Sequence, residues 1–422
     1  MARGRLQLSS RRLLGWVFVR CVASCVAAFA VGHSSSVAAD AQAPNGIVEP
    51  YDGNALKATP KHAAKRSEWP VWRRSIEPFH WHNIPGTSLA EAPLEIRVPG
   101  NPGTRIGAWN GMAADRYTNR LYTAANGGHA DYAGNEVCEI NLSEDEPRWR
   151  ILRQPTAPEY IVKSMTRDDV HDYYLDGRPA STHTYYSLQF LPSRNAVFKF
   201  AAGSLWGSGG LANWKTDAFS LRNDDWQPAG TWPDVVPGSR KSVTARAICL
   251  DPSTDQVYVA APRELRRFDP STGEYELLSR WPNNSSAVFA RGCAVDIDRK
   301  TVVFFGDAYH RPDGGFLYDI RANELREIRF SGEDADEIVK PHYNFAWYDV
   351  PSRRFLLKTR DGGKVHAIDP ETFEVSIVET TGGAGVPDAV TGVQTRWQWL
   401  PALGGYAFYP AYRSGIWFLA TE

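Results

Sequence analysis

The chain has 422 residues and a formal net charge of −1, which excludes a general bias toward polyanions; any preference for anions must come from local placement of arginine. Aromatic residues make up 12% of the chain, with 35 glycines and 28 prolines, and no long helical period occurs anywhere. Aromatic and β-branched runs punctuated by Gly, Pro, Asn and Asp are what short strands joined by turns require, so one large all-β domain is expected.

At the N-terminus, Arg3, Arg5, Arg11 and Arg12 precede an apolar run from Leu13 to Val31 that Arg20 interrupts, and Val37-Ala38-Ala39 has the form of a small-residue cleavage site. Residues 1–39 therefore read as an export signal, and the mature chain as secreted or periplasmic. Ser10-Arg11-Arg12 is a partial twin-arginine match. Val22-Ala23-Ser24-Cys25 has the form of a lipoprotein box, but apolar residues continue past Cys25, which favours cleavage near Ala39. A membrane anchor is the alternative reading of this segment. No later segment is apolar enough to span a bilayer. Without the signal only Cys138, Cys249 and Cys293 remain; they stand in separate strand-like runs and read as small buried residues, not as a disulfide framework. Residues 40–75, rich in Ala, Pro and charge, read as a linker, and 76–422 as a single domain.

Within that domain a repeat emerges. In 243–281 an inner strand around Ala247-Ile248-Cys249-Leu250 leads to the turn Asp251-Pro252-Ser253-Thr254-Asp255, then Val257-Tyr258-Val259, then Leu265 to Asp269, a second turn, and Tyr275 to Leu278. The same order recurs in 105–153, 183–230, 286–330 and 340–379. The stretch 391–421 supplies three strands, and Phe79 to Ile84 resembles the missing fourth. The expected fold is a β-propeller of six four-stranded blades, its ring closed by an N-terminal strand in the C-terminal blade, which protects sheet edges. A seventh blade would have to lie in 154–182, a polar segment that reads as a long and often functional loop.

Aligning the inner strands on their closing turns places Arg246 five residues before Asp251, with Asn110, Tyr186, Arg291, Asn344 and Arg396 as its equivalents. These six are expected to ring one mouth of the axial channel, with His183, Tyr185, His342 and Tyr343 just before them. Chain direction puts the loop between second and third strands on the same face. It carries His129, Asp131 and Tyr132 in the first blade, Trp206 in the second and His310 in the fourth. Aromatic platforms with Arg, His and Tyr suit a sugar acid, since rings stack on sugars and guanidinium groups fork a carboxylate.

Gly127-Gly128-His129-Ala130-Asp131-Tyr132 resembles the end of the second strand of a kelch blade, and Asp176-Gly177-Arg178 to Tyr185 resembles the lead-in to the next. An exported kelch-like propeller with His and Tyr in its early blades resembles the ulvan lyase type of polysaccharide lyase. That resemblance implies β-elimination on a chain containing uronic acids, with a His, a Tyr and an Arg at the site; His129 and Tyr185 match, while Phe200-Ala201-Ala202-Gly203 occupies the place of the arginine. Elimination requires a neutralised carboxylate, a base and an acid. Arg246 or Arg291 with His129 is expected to neutralise, and Tyr185 or His183 to serve as base and acid, neighbouring cations lowering the tyrosine pKa. Tyr132, Asn110, Tyr186, Arg291, His310, His342, Asn344, Arg396 and Trp206 are expected to bind substrate.

The partner expected is an acidic polysaccharide or oligosaccharide met by a monomer. Two further readings stay open: a periplasmic sugar-acid mutarotase resembling the kelch sialic acid epimerases, and a non-catalytic kelch module binding sugar or protein. No phosphate loop, His-Glu-x-x-His or zinc-spaced cysteine pair occurs, so no cofactor or metal is expected, and no basic nucleic-acid patch is present.

Overall fold

Short strands closed by one recurring turn set the architecture. The structure is a computed structural model that describes residues 65–237, 246–282, 290–306, 313–340 and 343–422. Six small antiparallel sheets stand in a ring, forming a six-bladed β-propeller. Blade I comprises Ala113–Asp115, Arg120–Ala124, Val137–Asn141 and Arg150–Arg153; blade II Leu188–Leu191, Ala196–Ala202, Asn213–Ser220 and Asp225–Trp226. Blade III comprises Ile248–Leu250, Val257–Ala261, Glu264–Asp269 and Glu274–Arg280; blade IV Cys293–Asp296, Thr301–Phe304, Gly314–Asp319 and Glu324–Arg329. Blade V comprises Phe345–Asp349, Arg354–Lys358, Val365–Ile368 and Glu374–Ile377, with Ser331–Gly332 paired parallel to its outer strand. Blade VI takes Trp397–Leu400, Gly405–Phe408 and Ile416–Ala420 from the C-terminus, and Trp81–Ile84 pairs antiparallel with the last of these.

Inner strands are buried on both faces because each blade is sandwiched between neighbours, so they read as unbroken apolar runs such as Trp397–Leu400. Outer strands such as Glu324–Arg329 are largely exposed.

The first hairpin is the same in every blade. The inner strand meets the second across the pairs Asp115↔Arg120, Leu191↔Ala196, Asp296↔Thr301, Asp349↔Arg354 and Leu400↔Gly405, and in blade III through Asp251 N–H to Gln256 O. Just before the second strand, each hairpin holds a left-handed residue: Asn119, Asn195, Asp255, Lys300, Arg353 and Gly404. In four blades the inner strand is followed or ended by an aspartate whose carboxylate accepts a backbone N–H within the turn, as Asp115 does from Tyr117 and Asp251 from Ser253. Counting back from this common hairpin, the equivalent of Arg246 in blade VI is Thr395, one residue before the expected Arg396.

A second left-handed position recurs just before five of the inner strands: Trp109, Tyr185, Ala290, Tyr343 and Gln394, with φ of 52°, 47°, 59°, 57° and 48°. Left-handed backbone costs a residue with a Cβ about 1–2 kcal/mol. Hydrogen bonds between neighbouring blades offset it: Tyr185 N donates to Trp109 O (2.9 Å), Tyr343 N to Ala290 O (2.9 Å) and Gln394 N to Tyr343 O (2.8 Å). They join blade I to II, IV to V and V to VI beside the axis.

Side chains of blades I and II meet blade V across the axis. Tyr185 of blade II stacks on Tyr343 of blade V (ring centroids 5.8 Å, 18° between planes), and Tyr186 OH donates to Asn344 O at 3.1 Å across the same span. Farther along, the Arg116 guanidinium of blade I lies 4.6 Å over the Trp347 ring of blade V.

Two sequence expectations change. Cys249 and Cys293 are joined in a disulfide with Cα atoms 5.6 Å apart, linking the inner strands of blades III and IV; among the described residues Cys138 is the free, buried thiol. Adjacent inner strands converge toward the axis, which brings together cysteines far apart in sequence. Part of the expected linker is packed: Arg73 is buried, lies 3.9 Å over Trp69, and donates to Leu403 O, Ile76 O and Glu422 O. No helix among the described residues is long and apolar enough to cross a membrane.

Candidate active site

The loop after the second strand of blade I turns sharply through Gly127, Gly128 and His129. A Cβ on Gly127 would stand 2.3 Å from both Ser181 Oγ and Tyr132 O, and one on Gly128 2.2 Å from Ser204 O, which is why the pair is glycine. His129 follows with φ 47°, its N–H donating to Ser204 O at 2.8 Å and its carbonyl accepting from Gly207 N at 2.5 Å. Blade II thus clamps the loop from below, and the His129 side chain is left exposed.

His183 sits on the lead-in to blade II, its backbone paired both ways with Gly203. Its ring is 3% exposed and lies between two partners: Nε2 meets Asp131 Oδ2 at 2.7 Å, and Nδ1 meets the Tyr185 hydroxyl at 3.4 Å. Trp109 packs against it (centroids 5.3 Å), and the His129 ring stacks at 6.0 Å. Burial lowers the His183 pKa, against the pull of Asp131. The ring is therefore neutral near pH 7; with Nε2–H donating to the carboxylate, Nδ1 is left as the acceptor for Tyr185. The hydrogen bond from His183 holds the Asp131 carboxyl below the usual carboxylate range.

Burial, and next Tyr343, pushes the Tyr185 phenol above its ordinary value. This is opposite to the expected lowering by neighbouring cations; the rings of Tyr343 and His183 pack on Tyr185, the Asp131 carboxylate adds to the rise, and a hydrogen bond with Ser204 only partly opposes it. In the resting protein Tyr185 carries its proton, with a hydrogen-bonded path through His183 to Asp131, whose side chain is 31% exposed.

The other residues expected to bind substrate are placed differently. Asn110 Oδ1 accepts from Thr184 N (2.9 Å), and Asn344 Oδ1 from Gly292 N (2.8 Å), so both join neighbouring blades. Tyr186 crosses the axis, and Arg291 donates to Val339 O at 2.5 Å while 7% exposed. Arg396 is buried and donates to Val390 O, Gly392 O and Pro410 O, holding its own loop. Tyr132 turns inward to Glu136 (3.4 Å), which pairs with Arg105 at 3.2 Å. Trp206 is buried under Lys163, whose Nζ lies 5.6 Å from the ring, and anchors the 154–182 segment through Ser164 N. Arg246 is half-buried; His310 and His342 lie outside the described residues.

Of the expected ring, Asn110, Tyr186 and Asn344 bond between blades, Arg291 and Arg396 are buried on backbone carbonyls, and Arg246 is half-buried. The side chains brought together on the face are His129, Asp131, His183 and Tyr185, flanked by Trp109 and Tyr343. Asp131 was legible as a loop neighbour of His129, but nothing in sequence pairs it with His183. Among the described residues, no three His, Cys, Asp or Glu side chains are grouped as metal ligands. A scan against protein-family models and a search of curated proteins each find no match for this chain.

Proposed function

We propose that this face cleaves a polysaccharide containing uronic acids by β-elimination in an exported protein. The observation that carries the reading is the Asp131–His183–Tyr185 chain beside an exposed histidine held in a strained turn. His129, open to solvent, takes the C5 proton of the uronate. The electron pair forms the C4–C5 double bond, the C4–oxygen bond breaks, and Tyr185 gives its proton to the departing oxygen. Tyr185 recovers its proton from solvent, and His183, fixed by Asp131, holds the phenol in place. Arg246, half-buried before the inner strand of blade III, is the cation assigned to the uronate carboxylate. Trp109 and Tyr343 offer ring faces to the sugar. The Gly127-Gly128 pair, with no room for a Cβ at either position, supports reading the blades as kelch-type. The interblade disulfide suits an oxidising compartment, which favours export.

The test is ultraviolet absorbance of the unsaturated uronate product on a panel of uronate polysaccharides. Tyr185→Phe is expected to lower kcat by about 10²–10⁴ with KM little changed, the range for loss of a general acid. Product formation undiminished in Tyr185→Phe sinks the assignment. A binding module is the second reading, favoured by the burial of Arg291 and Arg396, which leaves fewer cations on the face. It expects saturable binding of the same polymers with no new absorbance.

A further inference from the structure

A separate cleft of about 720 Å³ opens at the outer rim of blade I, between its last strand and the 154–182 segment. The fourth strand of a blade runs back toward the face bearing His129, so Arg153 at its C-terminal end places the cleft on that side. One wall is apolar, with Ile96 and Ile151; Tyr160, 46% exposed, stands at its edge. The charged groups are Arg153, Arg178 and Asp176, tied together directly or through Asp225, and Gln154 also lines the cleft. Arg178 Nη1 pairs with Asp176 Oδ2 at 3.1 Å, and Arg178 Nε with Asp225 Oδ1 at 3.4 Å. Arg153 Nη2 meets Asp225 Oδ2 at 3.3 Å, and Thr156 Oγ1 donates to Asp176 at 2.8 Å.

We propose that this cleft binds a short stretch of uncharged pyranose units. Two guanidinium groups are balanced by two carboxylates, so the site holds no excess positive charge to attract an acidic sugar. What it offers is planar donors and acceptors, preset by their own ion pairs and still partly open, with Arg178 and Asp176 side chains 23% and 17% exposed. Such groups hydrogen-bond vicinal hydroxyls, while the apolar wall and the Tyr160 ring cover the C–H faces of a sugar. The volume falls within the usual range for small-ligand sites, ~300–1,000 Å³. An anionic unit would meet Asp176 and Asp225 at close quarters.

The proposal does not depend on the His129 cluster being catalytic. Isothermal titration with uncharged hexasaccharides of β-1,4-linked glucose, xylose and mannose, and with polygalacturonate, tests it directly. At least one uncharged hexasaccharide is expected to bind saturably. Tyr160→Ala and Arg178→Gln are each expected to weaken that binding tenfold or more, while Tyr185→Phe leaves it unchanged. Tyr160→Ala removes a half-exposed ring, so its melting temperature is expected to match wild type. Three results overturn the proposal: no uncharged probe binds, the cleft variants keep full affinity, or polygalacturonate binds more tightly and is lost with the same variants. Lyase activity is read separately by product absorbance, so either assignment can fail alone.

Discussion

His129 is held in a conformation that its own Cβ disfavours, with φ 47°, by hydrogen bonds from blade II on both sides of its peptide. Asparagine tolerates left-handed backbone better than other residues with a Cβ, so His129→Asn removes the imidazole without adding strain. Stability is expected to stay within about 0.5 kcal/mol of wild type, as for most surface changes, while product formation falls at least 10²-fold. Urea denaturation beside the absorbance assay checks both halves; unaltered turnover excludes His129 as the base. One residue earlier the outcome inverts. Gly128→Ala drives a Cβ toward Ser204 O at a φ of 79°, and is expected to cost about 2 kcal/mol or more, read as a lowered denaturation midpoint. At this scale the sequence is informative about the loop and uninformative about its partners. Gly127-Gly128-His129 announces a tight turn bearing an exposed imidazole. The Asp131–His183 contact joins residues on two blades, and only the packing of those blades sets it at 2.7 Å.

Among elements, the hairpin joining the inner strand to the second is the unit that repeats, and the aspartate at its start made the blades legible in the sequence. Blade VI shows where that signal fails. Its turn, Pro401-Ala402-Leu403-Gly404, has no leading aspartate, and an alignment begun at Pro401 selects Arg396, whereas the Leu400↔Gly405 pairing selects Thr395; blade II, which also lacks the aspartate, keeps register because its count starts at Leu191. Thr395 Oγ1 accepts from Met112 N at 2.9 Å, a link to blade I like those made by its equivalents elsewhere. The Cys249–Cys293 bond was illegible for a related reason, since the convergence of inner strands at the axis does not show in spacing. It closes a sequence separation of 44 residues. Removing it through the double change Cys249→Ala and Cys293→Ala is expected to cost about 3–4 kcal/mol from lost constraint on the unfolded chain. A reductant is expected to lower the melting temperature of wild type and to leave the double variant unmoved. Equal responses of both proteins would mean the bond adds nothing to stability.

For the whole molecule, the decisive feature is that side chains of blades I and II reach blade V across the axis, where the sequence suggested an open, cation-lined mouth. Six polar positions that align in sequence imply a common location but not a common exposure; Asn110, Tyr186 and Asn344 link blades, Arg396 holds its own loop, and Arg246 stays half-buried. Asp255 carries the consequence for stability. It sits left-handed in the blade III hairpin and accepts from Ser193 N of blade II at 2.7 Å, with no hydrogen bond to its other oxygen. Burial pushes its pKa up to about 6, against the pull of these hydrogen bonds and of the buried Arg116. A carboxyl whose pKa is raised on folding binds its proton more tightly in the native state. Its contribution is whole below the unfolded value near 4 and is lost as pH rises through about 6. Asp255→Asn keeps the left-handed turn and cannot ionise. Relative to this variant, wild type is expected to lose about 2–3 kcal/mol between pH 4 and pH 7, from a shift of roughly two units at 1.36 kcal/mol each. Other raised carboxyls, such as Glu136 and Asp217, titrate alike in both proteins and cancel from the difference. Urea denaturation of the two proteins across that range measures it, and parallel pH curves would mean that Asp255 ionises in the folded protein as easily as it does in the unfolded chain.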